Sequence, residues 1–266
     1  METKPYIKSN YETVIMTNPL NQLDYELYVA KPLHKAPQDG YSIIYCLDGN
    51  AMFETTAEIT RLLTKKPKGF DPAIVVGIGY PGGELFNLGR RTYDLTTVAE
   101  PHNLPSRPKD DPWPKNGGAD ELLDFFSKHI FPLMEQRFHI NKKKIALFGH
   151  SFGGLFVLHS LFTKPTFFTH YIASSSSIWW NNYSILQEYH SFKRNLPNLE
   201  LLPKVLMVVG GNELLHMMND SEELSQKLLS LHDSRLEVQF AKLADEDHVS
   251  VIPGAISKAV KFMLEK

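Results

Sequence analysis

Six short apolar runs, residues 41–47, 73–78, 145–148, 171–173, 205–209 and 236–243, set the limits on what this chain can fold into. Runs of that length, continuous rather than alternating, fit strands buried on both faces. Helical stretches separate them, at residues 51–64, 121–138, 154–162, 221–231 and 255–264. In the fourth, Leu224, Leu228 and Leu231 recur at i, i+4 and i+7, which gives one apolar stripe to press on a sheet. Strands alternating with helices predict an α/β fold, a mostly parallel sheet with helices on both faces. Ahead of them, residues 13–16 and 25–30 flank the Asn18-Pro19 turn signal and predict an antiparallel N-terminal hairpin. Pro132 should kink or end the 121–138 helix. With 266 residues, 42% of them apolar, and no internal repeat, one domain spanning residues 1–266 is the simplest organisation.

Charge removes whole classes of partner. Lysine plus arginine (28) nearly balances aspartate plus glutamate (30), so no basic field is available for nucleic acid or an anionic membrane. The single cysteine, Cys46, forms no internal disulfide, and neither Cys-x-x-Cys nor His-Glu-x-x-His occurs. No metal and no other cofactor is expected. Residues 1–10 mix Glu2, Lys4 and Lys8 with Pro5 and carry no apolar core of a leader, and no run approaches the ~20 apolar residues of a membrane helix. The expected compartment is the cytoplasm.

The chemistry is concentrated at Gly149-His150-Ser151-Phe152-Gly153, which follows the run 145–148 and opens into the helical pattern Gly154-Leu155-Phe156-Val157-Leu158. A serine between strand and helix sits on a sharp, strained turn that lifts its hydroxyl above the sheet edge, and the flanking glycines let the two elements close. Ser151 is therefore the expected nucleophile. It needs a base, and in this arrangement the acid and then the histidine follow at the ends of later strands. His248 lies in the polar loop after the last predicted strand and is the expected base. His150 is adjacent to the serine, but its side chain should point away along the turn, while His159 and His170 read as packing or surface residues. Glu213, at the end of the strand 205–209, is the expected acid; Asp220 reads as a cap for a helix beginning near Ser221, and Asp247 is too close to His248 in the chain to orient it. Oxyanion donors should be the backbone N–H groups of Phe152 and of Asn50, in Asp48-Gly49-Asn50-Ala51 after the first buried strand.

Two further stretches call for a reading. Residues 96–118 hold five prolines and the Gly117-Gly118 pair, and a loop of that length inside a compact domain is expected to be a lid or binding loop. Gly77-Ile78-Gly79-Tyr80-Pro81-Gly82 fits a dinucleotide fingerprint, yet Pro81, Gly83 and Gly89 interrupt the helix such a site requires. Lys142-Lys143-Lys144 reads as a solvated turn before a strand, and residues 174–177 as a lining of a strand end.

Leu47-Asp48-Gly49-Asn50, Arg91-Thr92-Tyr93-Asp94-Leu95-Thr96, Gly117-Gly118-Ala119, Gly149-His150-Ser151-Phe152-Gly153-Gly154-Leu155 and Ser177-Ile178-Trp179-Trp180 together resemble the Putative esterase family of α/β-hydrolases, the esterase D-like group. The likeness runs from about Leu20 to the C-terminus. It is greatest to the siderophore esterases, which hydrolyse trilactones such as bacillibactin and enterobactin. The resemblance implies an α/β-hydrolase fold, Ser151 as nucleophile, His248 as base and an oxyanion hole at Asn50 and Phe152. It departs at Ser176, where a proline often stands in the family. The expected function is thus a serine esterase acting through an acyl-enzyme on a small-molecule ester, a ferric siderophore in particular. Arg90 and Arg91 are expected to pair with anionic oxygens of that ligand, and Trp179 and Trp180 to wall it. A general carboxylesterase or thioesterase, an acyltransferase and a non-catalytic siderophore-binding module are the alternatives.

Overall fold

The computed structural model describes residues 10–67 and 69–265; of the stretch read for a leader, all but Asn10 lies outside these residues. Eight strands form one sheet in the order β1-β2-β4-β3-β5-β6-β7-β8. β1 (Tyr11–Asn18) and β2 (Leu23–Ala30) make the expected antiparallel hairpin, with Tyr11 opposite Ala30 and Asn18 opposite Leu23. β2 also runs antiparallel to β4 (Ala73–Gly79). β4, β3 (Tyr41–Cys46), β5 (Ile140–His150), β6 (His170–Ser174), β7 (Lys204–Gly210) and β8 (Glu237–Leu243) are all parallel.

Parallel strands need helical crossovers, and these cover both faces. The helices are α1 (Gly49–Leu63), α2 (Leu88–Asp94), α3 (Ala119–Phe125), α4 (Phe131–Arg137), α5 (Phe152–Thr163), α6 (Trp180–Tyr183), α7 (Ile185–Asn195), α8 (Leu215–Leu229) and α9 (Val251–Leu264). Alternation along β3 separates two cores. Ile44 and Cys46 pack with Met52 of α1 and Ile256 of α9, whereas Ile43 and Tyr45 pack with Phe126, Phe156 of α5 and Tyr189 of α7.

Several local expectations are corrected. β8 is not buried on both faces: it is an edge strand whose residues from Glu237 to Leu243 are exposed or half-buried. Helix α8 starts at Leu215, not near Ser221, so Asp220 lies inside it and caps nothing. Lys142, Lys143 and Lys144 belong to β5, where its register on β3 shifts between Tyr41 and Ile43. The expected break at Pro132 is present: α3 ends at Phe125, and a π-turn at Phe126–Ile130 separates it from α4, in whose first turn Pro132 sits. α7 escaped the sequence reading although Ile185, Tyr189 and Phe192 recur at i, i+4 and i+7 and are all buried.

Candidate active site

Ser151 stands between β5 and α5 with φ 60° and ψ −114°, a left-handed backbone that costs a non-glycine residue about 1–3 kcal/mol unless its surroundings impose it. They do. Its N–H donates to the Ser174 carbonyl at 2.9 Å, and its own carbonyl accepts from the Ser177 N–H at 3.2 Å. The chain can turn so tightly because a Cβ at position 149 would lie 2.2 Å from the Gly153 carbonyl oxygen. The second steric demand falls one residue later than the motif implies. A Cβ at 153 would meet Asp48 Oδ2 at 3.5 Å, an ordinary contact, whereas one at 154 would meet Ser176 Oγ at 2.5 Å and the Ser174 carbonyl at 2.7 Å.

β7 ends at Gly210, and Glu213 turns back on that strand end. Its Oε1 accepts from the Gly210 N–H at 2.7 Å and from the Ser175 hydroxyl at 2.5 Å, and its Oε2 lies 2.8 Å from His248 Nδ1. Burial alone would raise this carboxyl, but the hydrogen bonds from His248, Ser175 and Gly210 outweigh it and hold Glu213 below the ordinary carboxylate range. An ionised Glu213 fixes the proton of His248 on Nδ1, leaving Nε2 as the basic nitrogen. Asp247 is engaged elsewhere: its Oδ1 accepts from the Val249 and Ser250 N–H groups, which shapes the turn that presents His248. His150 does not point away. Its ring packs against His248, tilted by 44° with centroids 4.6 Å apart, and its Nδ1 lies 3.3 Å from Ser174 Oγ. Burial and then the neighbouring His248 push its pKa down to about 3, so it packs as a neutral ring.

Ser151, Glu213 and His248 line one cavity of about 780 Å³, together with Ser177, whose Oγ is 3.4 Å from Ser151 Oγ. Trp179 also faces it. The other walls come from His102 to Pro105 of the 96–118 loop and from two segments that sequence reasoning missed, Asn182 and Tyr183 of α6, and Leu214, His216 and Met217 at the start of α8. Asn181, Asn182 and Tyr183 have φ of 46°, 54° and 62°. Asn181 is tied to the loop by bonds with Asn103 Nδ2 and the Val98 carbonyl, both at 3.0 Å. Trp113, from the same loop, packs on Phe152, Trp179 and Trp180. A tryptophan amid prolines and charges was the signal for that contact.

The two expected oxyanion donors occupy first turns of helices, Asn50 in α1 and Phe152 in α5, where N–H groups have no intrahelical acceptor. The Asn50 side chain is spent on the β4 loop, accepting from the Tyr80 N–H at 2.8 Å and donating to the Tyr80 carbonyl at 2.9 Å. Gly77 and Gly79 serve that packing and not a phosphate. A Cβ at 77 would strike Phe53, one at 79 would strike the Tyr28 ring and Asn50, and a turn, not a helix, follows β4.

Three expected substrate contacts are not brought to the cavity. Arg91 is buried and forms a bidentate pair with Asp48, at 2.9 and 3.0 Å, with its Nη2 3.5 Å from the His150 carbonyl. Its guanidinium therefore braces the turn before α1 against the turn before α5. Arg90 lies 4.8 Å over both the Tyr25 and Tyr80 rings and pairs with Asp94 at 3.5 Å. Trp180 is wholly buried, its Nε1 donating to the Thr97 carbonyl. His159 and His170 pack as read: His159 sits between Glu188 and Asp120, and His170 against Phe262. Among the described residues no group of three or more His, Cys, Asp or Glu is arranged to hold a metal ion, and no helix is long and apolar enough to cross a membrane.

A strained serine between strand and helix, with a carboxylate-backed imidazole at the same edge of a mostly parallel sheet, defines the α/β-hydrolase class. Comparison with known proteins agrees. The Putative esterase family profile matches residues 20–249. The ferri-bacillibactin esterase BesA of Bacillus subtilis is 36% identical over 263 residues, covering 95% of this chain and 89% of that protein. The siderophore enterobactin esterase of Emericella nidulans is 35% identical over 247 residues, covering 83% and 81%. The crystal structure of the BES protein from Bacillus cereus superposes with a TM-score of 0.93 at 38% identity, covering 100% of both chains. The chain belongs to the Putative esterase family and is an ester-hydrolysing enzyme.

Proposed function

We propose that this enzyme hydrolyses the ester bonds of a siderophore by nucleophilic catalysis at Ser151. The observation that carries the mechanism is the 2.8 Å contact of Glu213 Oε2 with His248 Nδ1, in the cavity that Ser151 enters on its strained turn. Ser151 Oγ attacks the ester carbonyl as His248 Nε2 takes its proton; the tetrahedral oxyanion accepts from the Phe152 and Asn50 N–H groups. Collapse expels the alcohol, which takes that proton from His248. Water, activated by the same nitrogen, attacks the acyl-serine, and a second collapse releases the acid and restores Ser151.

The substrate class rests on the relatives, whose names give bacillibactin and enterobactin. The apolar walls at Trp179, Tyr183, Leu104 and Met217 suit a large ligand with flat aryl groups. Residues 96–118 act in this reading as the cover of the site, and the enzyme works in the cytoplasm, where a buried free thiol such as Cys46 is at home. Fluorophosphonate labelling and trilactone turnover, with Ser151→Ala as control, test the proposal. Wild type should label and turn over, and the folded variant should do neither. A folded Ser151→Ala protein with normal turnover would refute the nucleophile, and a labelled wild type that cleaves short p-nitrophenyl esters but no trilactone would refute the substrate.

A further inference from the structure

Resting on the reading of Ser151 as nucleophile, we infer that the Ser177 hydroxyl is a further catalytic group, one that donates to Ser151 Oγ and speeds the breakdown of the acyl-enzyme more than its formation. The run Ser174 to Ser177 follows β6, and its hydroxyls are divided among the parts of the site. Ser174 Oγ lies 3.3 Å from His150 Nδ1, and Ser175 donates to Glu213. Ser176 Oγ is buried without a partner among the described residues. Ser177 Oγ lies 3.4 Å from Ser151 Oγ and has no other partner among the described residues. Backbone bonds set its place: its N–H donates to the Ser151 carbonyl at 3.2 Å, and its carbonyl accepts from the Trp180 N–H at 3.1 Å. The residue is 2% exposed, so a bond from it to a charged oxygen is little weakened by water.

Strand order assigns the role. Asn50, after β3, lies on one side of Ser151, and Ser177 and His248, after β6 and β8, lie on the other. With the ester carbonyl oxygen turned to the Asn50 and Phe152 N–H groups, the Ser177 hydroxyl faces the other oxygen of the reacting centre, Ser151 Oγ. Esterified Oγ carries no hydrogen, so the two side chains can bond in one sense only, with Ser177 donating. In deacylation water adds to the acyl carbon while His248 Nε2 takes its proton. The bond from that carbon to Ser151 Oγ then breaks, Oγ keeps the electron pair, and His248 returns the proton to it, while Ser177 keeps its own. Negative charge thus develops on Oγ as it leaves, and a donor aimed at it lowers that barrier. In acylation the same donor holds Oγ before the attack as well as during it, so the rate gains little. A resting separation of 3.4 Å fits a bond that tightens when the charge appears.

The test is Ser177→Ala with p-nitrophenyl acetate, whose good leaving group makes deacylation the slow half of the cycle. The change leaves both backbone bonds of residue 177 in place, and a thermal melt checks the fold. kcat should fall about tenfold or more, as expected for one hydrogen bond to a charged oxygen, and KM should fall with it, leaving kcat/KM, which reports acylation, within about twofold of wild type. Stopped flow should show a burst of p-nitrophenolate equal to the enzyme, and variant quenched in steady state should carry more acetyl on Ser151 than wild type does. Ser177→Cys fills the same space with a weak donor; it should show the same split at smaller size, and it serves as the test if the alanine variant does not fold. A folded variant with wild-type kcat would overturn the inference. So would one that loses kcat and kcat/KM equally, with KM unchanged and no acetyl accumulated, which is what a merely structural disturbance of the elbow produces. Neither acetyl nor fluorophosphonate on Ser151, in wild type or variant, while the ester is still cleaved, would instead refute the nucleophile on which the inference rests.

Discussion

Replacing Arg91 by methionine separates a brace from a ligand contact. The guanidinium and the Asp48 carboxylate retain side-chain exposures of 10% and 1%, and two hydrogen bonds join them. Removing one partner of such a pair strands the other charge in the interior, which costs about 3–5 kcal/mol. In a domain of this size each kcal/mol moves Tm by about 2–4 °C, so Arg91→Met should lower Tm by roughly 6–20 °C. Asp48 holds φ 49°, a backbone that asparagine tolerates, so the double variant Asp48→Asn/Arg91→Met discharges the stranded carboxylate without a new strain and should recover about half of the loss. Arg91 also touches the elbow, through the His150 carbonyl and over the Phe152 ring at 5.2 Å. The folded single variant should therefore lose kcat, about tenfold, with KM for p-nitrophenyl acetate little changed, because the turns that carry the two proposed oxyanion donors are disturbed. Urea titration, thermal melts and steady-state kinetics measure all three quantities. A variant with wild-type Tm and a KM raised only for anionic esters would show that Arg91 reaches substrate, and the bracing argument would be wrong.

Other outcomes follow from the same geometry. Glu213→Gln should cut kcat by about 10²–10⁴ while KM holds, since an amide cannot accept from Ser175, Gly210 and His248 together; unchanged kcat would mean that the imidazole needs no acid. Gly154→Ala should destabilise by about 1–3 kcal/mol through its clash with the Ser174 carbonyl, whereas Gly153→Ala should be near neutral, and urea midpoints that rank them the other way would refute the packing. Burial lowers the pKa of His159, but its bonds with Asp120 and Glu188 prevail and lift it to about 9. Its contribution to stability is thus complete below about pH 6.5 and lost as pH rises through 9, and His159→Gln should flatten that basic limb of the unfolding free energy. His170 is lowered to about 4 by burial and then Lys204, so its contribution is present above about pH 6.5 and lost as pH falls through 4; His170→Asn should flatten the acid limb.

Strands and the elbow were legible because each is written locally. Four hydrophobic residues before a glycine-flanked serine specify β5 and its turn without help from elsewhere. β8 was misread because Glu237, Gln239 and Lys242 were absorbed into an apolar run, although their polarity belongs to an edge strand with solvent on its faces. The start of α8 was misplaced because Asp220 and Ser221 imitate a cap, while the helix begins at Leu215 after Leu214, an exposed leucine that lines the cavity. The arginines failed for a different reason. A guanidinium beside a motif looks available in sequence, and only the fold shows that Asp48, more than forty residues away, already holds it.

The reason that three distant segments meet lies in strand order. β5, β6, β7 and β8 are adjacent and parallel, so the four loops that leave their C-terminal ends open side by side along one edge. Ser151 follows β5, Ser175 and Ser177 follow β6, Glu213 follows β7 and His248 follows β8. Glu213 and His248 therefore come from neighbouring strands and bond directly, whereas Ser151 and Glu213 are one strand apart and are linked through the turn after β6. That turn donates Ser175 Oγ–H to Glu213 and places Ser177 Oγ beside Ser151 Oγ. Ser175 can do so because its φ of 46° swings it off the line of β6. Ser175→Ala should consequently weaken the hold on Glu213 and lower kcat about three- to tenfold, one neutral donor to a carboxylate being worth about 1 kcal/mol or somewhat more. Steady-state kinetics on the folded variant measures this. An unchanged kcat would mean that the Gly210 N–H and His248 alone fix the acid, and that β6 gives the site a wall but no part of its hydrogen-bond chain.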